Sequence, residues 1–436
     1  MKKNGFIMST YVYILLVFFL LLLGTMLVVL NNTRLLANKI KENTDGNIDF
    51  NLVLKGDKEI FIVKDSEYIE PGCIATTFDG EKLEVSVMGE VNAKKSGEYD
   101  IEYSAEYKGV EKKVKRKVIV GENLVTYITN LYEDSITRAS NNLKKDNTED
   151  KNIRYYGANP NNYVRFNNEL WRIIGIFGNN VKLIRNDRLG WLSWDTSEST
   201  VNSGYGINQW GESKDTSGNI YEGADLQVYL NKMYYGGIEV TCYNDLNNTK
   251  TTCPKDSNGN FLELDDVAKN LIDNHTWNIG AMRYISRTNT LTFYQAERGS
   301  VHGKSSCSSG NQCNDTIIRT TEWTGYVGLP YVTDWAYASS ESVCETNMAT
   351  QDSSNNYICK NNNWMQKSIL AWYLLPVTTS SGACYAWYVN KTGDPAGNYT
   401  YGLGGVIPAV YLKSDVFVTG GLGTSDNPYK LWLSEN

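Results

Sequence analysis

The chain has 436 residues, 41% of them hydrophobic, and a formal net charge of -7, which leaves room for two or three domains with cores of their own. That acidic balance, with no basic patch interleaved with aromatics, excludes nucleic acid as a general partner. Only His275 and His302 are available as histidines, too few for a histidine-rich metal site or a two-histidine catalytic pair.

Residues 11 to 30, YVYILLVFFLLLLGTMLVVL, carry no charge. At about 1.5 Å per residue such a run just crosses a hydrocarbon core of roughly 30 Å, so it predicts a transmembrane helix. The run is longer than the roughly 7 to 15 apolar residues of a cleaved signal peptide, so residues 1–42 are expected to form a cytoplasmic tip and a retained anchor. Lys2 and Lys3 compete with Arg34, Lys39 and Lys41 for orientation. The cysteine pattern further on fits an oxidising exterior and places the bulk of the chain outside the cell membrane in a single-pass arrangement. Lys3-Asn4-Gly5-Phe6 before an apolar helix resembles the amino terminus of type IV pilin-like proteins. The glutamate of that family would fall at Thr10, which sets processing after Gly5 in question. This helix also offers a surface for homo-oligomer formation.

Residues 48–121 read as short strands. From Glu98 to Tyr107, Tyr99, Ile101, Tyr103, Ala105 and Tyr107 alternate with polar residues, the period-2 signature of a half-buried strand. Lys108-Gly109 marks a tight turn, and Val110 to Val120 returns with the opposite charge. In that register Glu102 meets Lys115, Asp100 meets Lys117, and Arg116 falls on the inner face opposite Ile101. The pattern Tyr68-Ile69-Glu70-Pro71-Gly72-Cys73-Ile74-Ala75, followed by Gly97-Glu98-Tyr99-Asp100-Ile101-Glu102-Tyr103, resembles bacterial surface immunoglobulin-like modules. That resemblance implies a β-sandwich spacer. Residues 122–151 are expected to be a connecting helix, with apolar residues at helical spacing from Leu124 to Leu143, followed by a charged linker.

The distal domain, 152–436, opens with a β-meander: Tyr163 to Phe166, Leu170 to Phe177 and Val181 to Arg185, separated by Asn167-Asn168 and Gly178-Asn179-Asn180. Asn tolerates the positive φ that such turns require. The strand from Leu170 to Phe177 is apolar on both faces and is therefore expected at the centre. Short helices are expected at 224–233, 264–273 and 332–340, and late strands at 386–390, 406–412 and 429–433. All eleven tryptophans lie at or beyond Trp171, which sets this domain apart from the first.

Six cysteines fall into local pairs, Cys242 with Cys253, Cys307 with Cys313 and Cys344 with Cys359, each bracketing a polar loop. None has zinc-knuckle spacing, so disulfides are expected; Cys73 and Cys384 stay open. Gly328-Leu329-Pro330-Tyr331-Val332-Thr333-Asp334-Trp335-Ala336-Tyr337-Ala338 resembles a signature of the formylglycine-generating-enzyme family and its C-type-lectin-like relatives. In this segment Pro330 would open the turn, Thr333 or Asp334 cap backbone donors, and Trp335 bury a helix face. The oxidase cysteines of that family follow its tryptophan signature, whereas Cys307 and Cys313 precede it, so no catalytic residue is carried over. The calcium-lectin triplets are absent, and Asp256 to Asn260 reads as a hairpin turn.

The expected architecture is mostly β with an α+β head: an N-terminal transmembrane helix, an immunoglobulin-like sandwich and a C-type-lectin-like distal domain. The expected function is that of a non-enzymatic, adhesin-like surface protein of a Gram-positive bacterium. It would bind an unknown glycan or protein ligand and use no cofactor and no metal. Ligand-binding candidates are Trp364, Trp372, Tyr385, Trp387, Tyr388, Tyr399 and Tyr401, because large rings give contact area at low entropy cost. A pilin-like filament or secretion subunit and an envelope enzyme on the same fold are the rival readings.

Overall fold

A computed structural model of the chain describes residues 17–30, 32–33, 49–196, 208–244, 249–282, 287–299, 317–346, 348–349, 359–366, 371–378, 385–390, 393 and 395–433. It is mostly β-sheet, arranged in several sheets, and falls into two compact units, Met1–Ile119 and Val120–Asn436.

The expected transmembrane helix is corrected. Among the described residues no helix is long and apolar enough to cross a membrane. The expected tip and helix start, residues 1–16, lie outside the described residues.

In the first unit, β1 (Phe50–Leu54) pairs antiparallel with β3 (Cys73–Thr77), which pairs with β4 (Lys82–Leu83). A second sheet runs β2 (Glu59–Val63), β7 (Val110–Asn123), β6 (Gly97–Tyr107) and β5 (Ser86–Met88). Phe50, Ala75 and Ala105 form the small core between them. Alternation along β6 buries Ile101, Tyr103 and Ala105, as the period-2 pattern requires. Lys108 and Gly109 both take positive φ, 49° and 83°, the signature of a type I′ hairpin turn. Glu102 meets Lys115 at 3.3 Å, while Lys117 reaches Glu98 at 2.8 Å. Arg116 is fully buried. Its guanidinium is made tolerable by an ion pair with Glu70, by donation to the carbonyls of Asp57 and Lys55, and by the ring of Tyr103 at 6.0 Å.

In the second unit, the stretch read as connecting helix and linker is part of the folded body. Helix α1 (Leu124–Glu133) is capped by Asn123, and α2 (Ser135–Asn141) by Asp134, whose carboxylate accepts from Ile136 N and Thr137 N at 3.1 and 2.8 Å. Leu124 and Ile128 are buried. Strand β8 (Leu143–Lys145) then pairs with β9 (Ile153–Tyr155), which pairs with β11 (Glu169–Phe177).

The meander forms as expected. β10 (Tyr163–Phe166), β11 and β12 (Asn180–Arg185) are antiparallel neighbours, with positive φ at Asn167, Asn168 and Gly178. The strand Ala409–Tyr411 flanks β12, and Tyr429–Leu433 runs parallel to β10. β11 and β12 are buried on both faces: Ile173 and Leu183 enter one core cluster, while Ile174 and Ile184 enter the other. A second sheet contains Trp191–Ser193, Leu403–Gly405, Trp372–Thr378, Tyr385–Val389 and Pro395–Tyr399.

At the heart of this unit lies a buried ionic network. Arg154 donates to Asp146 at 2.6 Å and to Asp334 at 2.8 Å, and Lys182 Nζ lies 2.6 Å from Asp334 Oδ2; all four side chains are essentially inaccessible. Asp334 also accepts from Tyr331 N at 2.9 Å, the capping role expected of it. Lys182 and Arg154 hold the Asp334 carboxyl below its ordinary range against the opposing pull of burial. Burial brings the Lys182 ammonium down to about 8 and pushes the Glu297 carboxyl up to about 7. Glu297 accepts from Thr333 Oγ1 at 2.8 Å.

Candidate functional site

The hairpin Tyr385–Val389 with Pro395–Tyr399 sets Tyr385 opposite Tyr399, at the end away from its connecting loop. Directly opposed aromatics on antiparallel strands come into contact, and these two ring centroids lie 4.3 Å apart. Tyr401, two residues on, stacks on Tyr399 at 4.9 Å with 22° between the planes. The three half-buried rings form a file that reaches solvent at its outer edges.

The backbone beneath the file is held from several elements. Tyr373 OH donates to Tyr399 O at 3.2 Å and to Gly402 O. Ser193 Oγ donates to Tyr401 O at 2.8 Å, and Trp194 N to Thr400 O at 2.8 Å. Asn208 Nδ2 donates to Tyr385 O at 2.8 Å and is itself oriented by Arg319 Nε at 3.0 Å. A Cβ on Gly404 would stand 2.3 Å from the Tyr373 ring, so only glycine lets that ring pass beneath the turn. Burial raises the Tyr373 phenol far above its ordinary range, so it stays a donor at every physiological pH. Trp194 meets Tyr373 at 5.8 Å and Trp210 at 5.0 Å, continuing the aromatic packing inward.

The structure divides the sequence candidates. Tyr385, Tyr399 and Tyr401 come together. Tyr388 is half-buried and packs against the core. Trp364, Trp372 and Trp387 are core residues and are corrected as a ligand face. Trp372 and Trp387 are wholly inaccessible, and Trp364 is 4% exposed with its Nε1 donating to Tyr155 O at 2.9 Å. The supporting residues Ser193, Trp194, Asn208 and Tyr373 escape a sequence reading, because they lie far apart in the chain and act largely through main-chain contacts.

Two of the expected disulfides form, Cys242 with Cys253 and Cys344 with Cys359. Cys307, Cys313, Cys384 and His302 lie outside the described residues, and Cys73 is a free, half-exposed thiol. Asp256 binds Asn258 N and Asn260 N, the hairpin turn expected there. His275 lies against Tyr411, ring centroids 3.7 Å apart, and bonds Asp273 at 3.0 Å. Among the described residues no group of three His, Cys, Asp or Glu side chains is placed to hold a metal ion. A recess of about 220 Å³ beside Arg165, Asn168, Asp265 and Lys430 falls below the roughly 300–1,000 Å³ of small-molecule pockets.

Residues 52–120 match the family model described as bacterial surface protein, Ig-like domain. No curated protein matches the chain. Among solved structures, a lipoprotein of Bacteroides thetaiotaomicron is similar at 31% identity, with a TM-score of 0.16, over 17% of this chain and 39% of that one. The CBM51-2 and INT domains of Clostridium perfringens ZmpB are similar at 12% identity, with a TM-score of 0.14, over 39% of this chain and 38% of that one. The chain thus spans about two-fifths of the length of each. None of these matches supports a pilin-like helix or a lectin-like distal domain. The family match establishes the Ig-like module and, with it, a surface-associated, extracellular protein.

Proposed function

We propose that the second unit is a non-enzymatic binding head, and that the file Tyr385, Tyr399 and Tyr401 is its ligand face for an extracellular glycan or protein. The Ig-like unit is then a spacer at the bacterial surface. The observation that carries this reading is a run of three touching, half-exposed rings, fixed from below by hydrogen bonds from Tyr373, Ser193 and Asn208. Rings held in place lose little entropy on binding and supply large contact area. A preformed surface of this kind needs no change of shape to engage a partner.

A glycan and protein array probed with the whole chain tests it. Tyr401→Ala and Tyr399→Ala are expected to weaken a hit by about tenfold or more, the loss typical of a buried aromatic anchor, with an unchanged circular dichroism spectrum. Hits that both variants retain at full strength would remove the proposed face.

A further inference from the structure

We propose that Arg172 is the centre of a second ligand site in this unit, one that takes a small carboxylate on the free edge of its guanidinium. Arg172 stands opposite Tyr163 in the register of β10 and β11 and is only 4% exposed. Its guanidinium carbon lies 4.1 Å from the centroid of the Tyr163 ring and 4.5 Å from that of Trp364. Nε donates to Asn162 Oδ1 at 2.8 Å, and Nη2 donates to the carbonyl of Pro160 at 3.4 Å. Each of these partners is neutral.

Three other buried arginines are held differently. Arg116 pairs with Glu70, Arg154 with Asp146 and Asp334, and Arg185 with Glu169. No carboxylate among the described residues acts on Arg172, and burial brings its guanidinium down to about 10. The acids beside Arg154, by contrast, hold that group above its ordinary range. Arg172 is still a cation at neutral pH, and an unpaired charge away from water is costly. An anion brought to it would offset that cost.

The open edge selects the kind of anion. Nη1 donates to no described residue and, unlike Nη2 of Arg154, is not sealed in the interior. Its two N–H groups stand beside the one that Nη2 has to spare, and such a planar fork matches a carboxylate. A single cation balances a monoanion. The groups that hold the other edge are themselves fixed: Asn162 Nδ2 donates to the carbonyl of Ile173 at 2.7 Å, and Trp364 N to that of Gly157 at 2.9 Å. Donors placed before the ligand arrives lose little freedom on binding.

The test is saturation-transfer NMR on the whole chain at constant ionic strength, with acetate and its neutral isostere acetamide as probes. Acetate is expected to receive transfer from the protein and acetamide none. Displacement of acetate by glucuronate would extend the same site to acidic sugars, and failure to displace it would confine the site to small free acids. Arg172→Gln is expected to weaken acetate binding by about tenfold or more, the loss of a charge-assisted pair, with unchanged circular dichroism. Arg172→Lys keeps the charge without the fork and is expected to weaken it less. No transfer to acetate, equal transfer to acetamide, wild-type binding by Arg172→Gln, or displacement by inorganic phosphate at a concentration below that of acetate overturns the proposal. Should the variants not fold, the side-chain Nε–H signals of arginine-labelled wild type decide: the Arg172 signal is expected to move as acetate is added, and a signal that stays fixed overturns the assignment.

Discussion

Glu297 shows how much a single buried carboxyl can decide. Its folded-state pKa of about 7 lies above the ordinary carboxyl value of 4.5, so the native state holds its proton more firmly than the unfolded chain. The stability this contributes is complete below about 4.5 and is lost as pH rises through about 7, to the extent of about 3 kcal/mol. Asp334 runs the other way. Held low by Lys182 and Arg154, it contributes stability above the ordinary carboxylate range and loses it as pH falls further. Urea unfolding at pH 5 and pH 8 is therefore expected to show lower stability at pH 8, with Glu297→Gln flattening the difference. A wild-type midpoint that rises with pH over that interval would contradict the assignment. Tyr373→Phe removes the donor to the carbonyls of Tyr399 and Gly402 and is expected to cost about 1–2 kcal/mol in the same experiment. At this scale the sequence was only half legible. Tyr385, Tyr399 and Tyr401 stand out as aromatics in a Gly- and Asn-rich stretch, but nothing local separates them from Trp372 and Trp387, which their strands turn inward, or from Trp364, buried in a turn.

Elements were easier to read than single residues wherever a turn carried its own chemistry. The meander β10 to β12 is delimited by Asn167, Asn168 and Gly178, all at positive φ, and the hairpin between β6 and β7 by Lys108 and Gly109. The stretch from Asn142 to Lys151 read as a charged linker because charge usually means solvent. Here Asp146 is 3% exposed, and its partner Arg154 comes from β9, a pairing no periodicity reveals. The helix expected at Leu124 to Leu143 breaks at Asp134, which instead caps α2. Asp134→Ala is expected to cost about 1 kcal/mol by loss of that cap, read from a thermal melt. Gly404→Ala places a methyl group against the Tyr373 ring. It is expected to destabilise by about 1–3 kcal/mol, and an unchanged melting temperature would show that the ring is free to move away.

For the molecule as a whole, two units with different chemistry share one chain. The first is a small sandwich in which Phe50, Ala75 and Ala105 cluster between the sheets. The second is large and tryptophan-rich, and local disulfides close its loops. Cys242 with Cys253 and Cys344 with Cys359 span 11 and 15 residues, so each is expected to contribute roughly 3 kcal/mol. Reduction should lower the thermal midpoint, as a melt with and without reductant would show. The surface module was legible because its residues form a recognisable pattern over 52–120. The apolar run 11–30 reads as a span, whereas among the described residues no helix is long and apolar enough to cross a membrane. Contact between the tyrosine file and the ligand is read by a covalent tyrosine-labelling footprint of the whole chain, with and without an array-identified ligand. Tyr385, Tyr399 and Tyr401 are expected to be shielded together when ligand is bound; shielding elsewhere, with these three labelled as before, would place the ligand on another face.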